Sequence, residues 1–102
     1  LDFEALHQAA DALERQAHVI RAAREEHDHM MFRASSEAGQ VTATCRGNGT
    51  VTGVAIKDGA LNGSRPETIA AEVKEAILNA RAQASASAME AFRAVAPELA
   101  GE

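Results

Sequence analysis

Residues 30–63, MMFRASSEAGQVTATCRGNGTVTGVAIKDGALNG, lie between two long alanine-rich segments and constrain the fold more than any other stretch. Apolar and polar side chains alternate over 30–35, 41–46 and 51–56. Period two is the pattern of strands with one covered face. The runs are broken at Glu37-Ala38-Gly39-Gln40 and Gly47-Asn48-Gly49, so they read as a three-stranded antiparallel meander. Met30, Phe32 and Ala34 are expected on one face, with Met31, Arg33 and Ser35 on the other. Val41, Ala43 and Cys45 face inward, opposite Thr42, Thr44 and Arg46, and Thr52, Val54 and Ile56 lie opposite Val51, Gly53 and Ala55. Asn48-Gly49 between β-branched runs marks a hairpin, because both positions tolerate φ > 0.

The flanking segments have a different period. Over residues 2–29, Phe3, Leu6, Ala10, Leu13, Ala17, Ile20, Arg24, His27 and Met31 fall on alternating three- and four-residue steps, the near-heptad pattern of a helix. The seam is apolar up to Ile20 and fades into Arg24 and His27. Such a helix is roughly 40 Å long, far longer than the sheet it would pack on. After a turn at Lys57-Asp58-Gly59, a second helix follows Ser64-Arg65-Pro66-Glu67. Ser64 is placed to cap it, Glu67 to complete a capping box, and Pro66 to sit in its first turn. Its seam is Ile69, Val73, Ala76, Ile77, Ala80, Ala84, Ala88, Ala91 and Val95, and the helix is expected to stop at Pro97. The fold class is therefore α+β: a long N-terminal helix, the meander and a long C-terminal helix. The 102 residues read as one domain, 1–102, without internal repeat or flexible linker.

Composition argues that this domain needs a partner. Hydrophobic residues are 46% of the chain, but about half of them are alanine. Leu, Ile, Val, Met and Phe together make up roughly a fifth, and there is no Trp or Tyr. A small domain with so little apolar side chain to bury gains most from burying helix faces against a second copy. No run of about 18 apolar residues is present to span a membrane, and the acidic, amphipathic start is unlike a signal peptide. Opening at Leu1, the chain looks trimmed or processed. The single Cys45 has no internal disulfide partner and takes an inward strand position as a small apolar side chain, which suits a reduced, cytoplasmic setting.

Catalytic and metal readings fail on spacing. His27 and His29, two apart, fall on different helix faces, so these and His18 are read as solvated histidines, not ligands. Gly47, Gly49 and Gly53 precede no helix and no Lys-Ser or Lys-Thr, as a phosphate loop would require. No nucleophile lies in a triad pattern, and no cofactor is implied. Charge is more informative. Net charge is −5, which opposes general attraction to nucleic acid or an anionic membrane surface. Yet Arg15, Arg21, Arg24 and Arg33 form a basic cluster from the second half of the first helix into the first strand. Arg46 and Lys57 decorate the hairpin region. Doubled by a dimer axis, such a cluster can grip phosphate backbone. The alternative is ordinary pairing of these arginines with Glu14, Glu25 and Glu26.

GQVTATCRGNGTVTGVAIKDG, within a likeness running from about Met30 to Ala91, resembles the YbaB/EbfC nucleoid-associated family. The matching elements are Gly39 before a valine-rich strand at Val41, the Gly47-x-Gly49 turn, and Val54-x-Ile56 ending in acidic Asp58. Leu61 and the alanine-spaced helix Ile69 to Ala91 continue the likeness, whereas the first helix matches only in length and heptad character. The resemblance implies an α-β-β-β-α chain, an intertwined, tweezers-shaped homodimer, and DNA binding in the bacterial nucleoid. VTGVAIKDGAL and the Ala/Ser-rich second helix look closest to actinobacterial members, some of which are associated with type VII secretion. The family offers no sharp DNA-contact motif to transfer, so Arg21, Arg24, Arg33 and Arg46 are expected as DNA-binding residues on physical grounds alone. The function expected is a non-enzymatic, cytoplasmic homodimer that binds double-stranded DNA through phosphates with low sequence specificity. The alternative is a scaffold or chaperone dimer for a protein partner.

Overall fold

The computed structural model describes residues 2–99, with side chains over 2–95. Helix α1 spans Phe3–His29. Asp2 caps it, its carboxylate accepting from the Glu4 and Ala5 N–H groups at 2.9 and 3.3 Å, which satisfies two of the otherwise unpaired first-turn donors. The chain turns extended at Met30 and enters strand β1, Met31–Ser35. Strands β2, Val41–Arg46, and β3, Val51–Ile56, complete an antiparallel sheet in the order β1-β2-β3. A single turn of helix α2, Ala60–Gly63, precedes α3, Pro66–Leu99. This is the α+β meander expected from the two hydrophobic periods.

Both hairpins turn on a glycine with positive φ, Gly39 at 81° and Gly49 at 89°. Asn48 does not enter that region. Its Oδ1 instead accepts from the Thr50 N–H at 2.9 Å, while Gly49 N–H donates to the Arg46 carbonyl. Between Thr44 and Cys45 the β2–β3 register slips: Thr44 pairs with Gly53 and Cys45 with Val51. Thr52 is thus an extra, bulged residue, and a bulge reverses side-chain parity beyond it. Val51, not Thr52, joins the Cys45 side of the sheet, which corrects the uninterrupted alternation read over 51–56.

The core is a methyl-to-sheet contact. Val41, Ala43 and Cys45 of β2 are fully buried beneath Ala76, Ala80 and Ala84 of α3, which are four residues apart and so share one helix face. Phe32, Ala34, Val73 and Ile77 pack around this centre. Helix α3 lies across β1 and β2, and its cover does not extend over β3. Val54 and Ile56 share the face of buried Ala43 and Val41, yet remain 42% and 38% exposed.

Beyond the hairpin end of the sheet, the second half of α3 runs antiparallel to the second half of α1 as a two-helix arm. The molecule is consequently a rod of 75 × 19 × 17 Å. Along α1, Phe3, Leu6, Leu13 and Ile20 are all exposed, so the expected apolar seam is real but uncovered among the described residues.

Three further local expectations differ from the structure. Helix α3 continues through Pro97 to Leu99; so near a helix end, proline removes a hydrogen bond with few others to disrupt after it. Its first residue is Pro66, which puts Arg65 at the cap position and Ser64 one place too early. Among the described residues the Ser64 hydroxyl makes no capping bond, and Arg65 supplies the carbonyl for the Thr68 and Ile69 N–H groups. His18 and His29 are exposed as expected, but His27 is buried, 7% exposed, with its ring 5.7 Å from that of Phe32. The close approach of α1 to the hairpin causes this, because Gly47 lies directly against the His27 backbone.

A Cβ at Gly47 would overlap the His27 carbonyl and lie 2.7 Å from its Nδ1. Gly47→Ala is therefore expected to force α1 off the hairpin and cost about 2 kcal/mol or more, read by urea unfolding. Ala80→Leu, which inserts a branched side chain where α3 sits against β2, is expected to cost about 1–3 kcal/mol in the same assay. Leu78→Ala, on the exposed side of α3, should fall within about 0.5 kcal/mol of wild type.

Candidate nucleic-acid interface

The structure sorts the four expected arginines into two pairs. Arg33 and Arg46 both stand on the sheet face opposite α3, since their neighbours Phe32 and Cys45 point into the core. Arg33 pairs with Thr44 and Arg46 with Met31, so the two arginines are diagonal cross-strand neighbours, with Cα atoms roughly 7–8 Å apart. Both are exposed. Arg21 and Arg24 lie instead on the arm, one helical turn apart on α1. Arg24 lines a groove of about 290 Å³ between α1 and α3, with Ile20, Ala23, Phe92 and Val95 among its walls. The cluster read as continuous from Arg15 to Arg33 is thus divided between the arm and the sheet.

Among the described residues, no side chain of Arg15, Arg21, Arg24, Arg33 or Arg46 makes an ion pair or hydrogen bond. The alternative pairing with Glu14, Glu25 and Glu26 is absent. Elsewhere the chain uses its charges: Arg81 Nε donates to the Gly49 carbonyl at 2.9 Å and braces the hairpin. Glu72 accepts from Ser36 Oγ at 2.8 Å, and Glu75 accepts from the Glu37 N–H. Those groups hold the fold, whereas the five arginines are left with their donors toward solvent.

Around Arg33 and Arg46 the open sheet face is completed by Met31, Ser35, Thr42, Thr44, Gly53 and Ala55. It contains no carboxylate. Ser35 Oγ and Thr42 Oγ1 are hydrogen-bonded to each other at 2.8 Å and exposed enough to take a further partner. Guanidinium groups with flanking hydroxyls are the usual donors to phosphate oxygens. Arg21 and Arg24 have Glu25, Glu26 and Asp28 close by in the same helix, so the local potential there is more mixed.

Arg93, exposed on α3 beside the groove-lining Phe92, is not grouped with these residues by any sequence pattern. It is 69 positions from Arg24 in the sequence, and no local spacing signals that α3 folds back along α1. Among the described residues no cluster of three or more His, Cys, Asp or Glu side chains is placed to hold a metal ion, and no helix is long and apolar enough to cross a membrane.

Comparison with known proteins agrees with this architecture. The chain is similar to the ESX-1 secretion-associated protein EspL from two strains of Mycobacterium tuberculosis, with 46% identity over 55 residues. That alignment covers 54% of this chain and 48% of EspL, so the chain spans about half the length of these relatives. Its fold is similar to that in the crystal structure of the uncharacterized protein HP0035 from Helicobacter pylori, with a TM-score of 0.65. The match covers 93% of this chain and 98% of the other at 18% identity. The model of the YbaB/EbfC DNA-binding family matches residues 3–99, nearly the whole length, and the chain belongs to that family.

Proposed function

We propose that this protein binds double-stranded DNA as a homodimer in the bacterial nucleoid, mainly through phosphates and with little sequence specificity. Membership of a DNA-binding family supports the ligand class. The observation that carries the reading is the open sheet face, where Arg33 and Arg46 stand among hydroxyls with no carboxylate beside them. Such a surface offers charge and donors but no deep groove-reading element, which favours backbone contact over base readout. Arg21 and Arg24 supply a second contact from the arm. The net charge of −5 is compatible with this, since attraction depends on the local field at the contact.

A second reading is a scaffold or chaperone dimer for a protein partner, including one linked to type VII secretion. The exposed row Phe3, Leu6, Leu13 and Ile20 favours it, as does similarity to a secretion-associated protein. An apolar row on a projecting helix is the kind of surface that another amphipathic element covers. Fluorescence anisotropy with a labelled duplex, at low and near-physiological salt, separates the two readings. Binding that weakens steeply with salt and ignores sequence supports DNA binding; no binding at low salt would overturn it in favour of the protein partner.

The arginine pairs give sharper expectations. Arg33→Ala with Arg46→Ala should weaken binding to all duplexes alike and lower the log–log salt slope by about 0.9 for each phosphate that is no longer neutralised. Arg21→Glu with Arg24→Glu should abolish binding at near-physiological salt while leaving self-association unchanged, as checked by anisotropy beside sedimentation. Unchanged affinity in either double variant removes that pair from the DNA interface.

A further inference from the structure

Arg24 and Asp28 lie four residues apart on α1, and therefore on one face of the helix. Opposite charges at that spacing are within reach of each other, yet among the described residues neither side chain makes an ion pair or hydrogen bond. Both line the groove between α1 and α3. Ile20 from α1, with Phe92 and Val95 from α3, gives the groove apolar walls. His27 lines it as well, and its Nε2 is buried without a hydrogen-bond partner among the described residues. A buried polar atom left in that state is commonly met by a bound group or an ordered water.

We propose that this groove binds a free apolar α-amino acid of the size of leucine or phenylalanine. Arg24 takes its carboxylate, Asp28 takes its ammonium group, and its side chain lies between Ile20, Phe92 and Val95. The two charges select this class. A fatty acid would satisfy Arg24 but bring its carboxylate beside that of Asp28. A simple amine would satisfy Asp28 and meet the guanidinium of Arg24 as a like charge. A zwitterion matches both, because its own opposite charges are close together, as are groups one helical turn apart. Size agrees with this choice, since about 290 Å³ lies at the small end of ligand pockets. An aromatic ligand also gains a ring to pack against at Phe92.

Arg24 is exposed and Asp28 half-buried, so water competes at both contacts and the site is one of low affinity. The inference does not depend on DNA binding. Where the arm does contact DNA, Arg24 cannot serve a ligand carboxylate and a phosphate together, so occupancy opposes that contact; this consequence alone rests on the DNA reading.

Amide chemical-shift titration of the wild-type protein with L-phenylalanine and L-leucine, without DNA, tests this. Four further probes take the ligand apart. Hydrocinnamate lacks the ammonium group, phenethylamine lacks the carboxylate, N-acetylphenylalanine amide lacks both charges, and alanine lacks the large side chain. Saturable shifts clustered at the groove-lining residues, with every stripped probe weaker than phenylalanine by about fivefold or more, are the expected result. Arg24→Gln and Asp28→Asn should each weaken phenylalanine by a similar factor, and Ala91→Leu, which fills the groove, should remove binding. If the Ala91 variant loses its circular dichroism, the probe series on wild type decides. Absence of saturable shifts, hydrocinnamate or phenethylamine binding as tightly as phenylalanine, or unchanged affinity in both charge variants would each overturn the proposal. Equal binding of the capped amide would also overturn it, assigning the groove to an apolar side chain of another protein. The titrations contain no DNA, so failure of DNA binding leaves them interpretable.

Discussion

The closeness with which α3 approaches the sheet sets the rest of the architecture. Ala76, Ala80 and Ala84 present only methyl groups to Val41, Ala43 and Cys45, so helix and strand pack with little side chain between them. A helix held that close spans two strands and no more, which is why β3 keeps a bare inner face and an open outer edge. The same helix, 34 residues long, outruns the short strands and must find another surface for its second half. Helix α1 supplies it, docked through Gly47 and the buried His27 at the hairpin end. The arm, the open edge and the exposed row on α1 all follow from one close contact made of small residues.

Small-residue packing also explains why the fold leaves so much apolar surface unsatisfied. Burial stabilises roughly in proportion to apolar area, about 25 cal/mol per Å², and alanine contributes little of it. The larger side chains lie mainly outside the core, at Phe3, Leu6, Leu13, Leu78, Met89 and Phe92. An arrangement that buries its methyl groups and exposes its larger residues suits a chain completed by association.

The local placement of charge differs from what the total suggests. Glu72 and Glu75 are drawn to the β1–β2 turn, where they accept hydrogen bonds, and Arg81 is committed to the hairpin. What remains beside the open sheet face is positive, although the chain as a whole is acidic. Screening limits how far distant carboxylates oppose such a patch, since the Debye length near physiological salt is about 8 Å.

Much of this was legible in the sequence. The switch from heptad-like to alternating hydrophobicity gave the element order, Val41, Ala43 and Cys45 gave the buried face of β2, and Ile69 to Ala84 gave the face of α3. These are local properties, because period and turn chemistry are written in neighbouring residues. The bulge at Thr52, the burial of His27, the grouping of Arg33 with Arg46 apart from Arg21 and Arg24, and the bare inner face of β3 were not legible. Each depends on which segments, distant in sequence, lie against one another. By itself the sequence determined the elements and which of their faces seek cover; only the tertiary structure decided which faces receive it, because one narrow alanine face can close over two strands and leaves the third exposed.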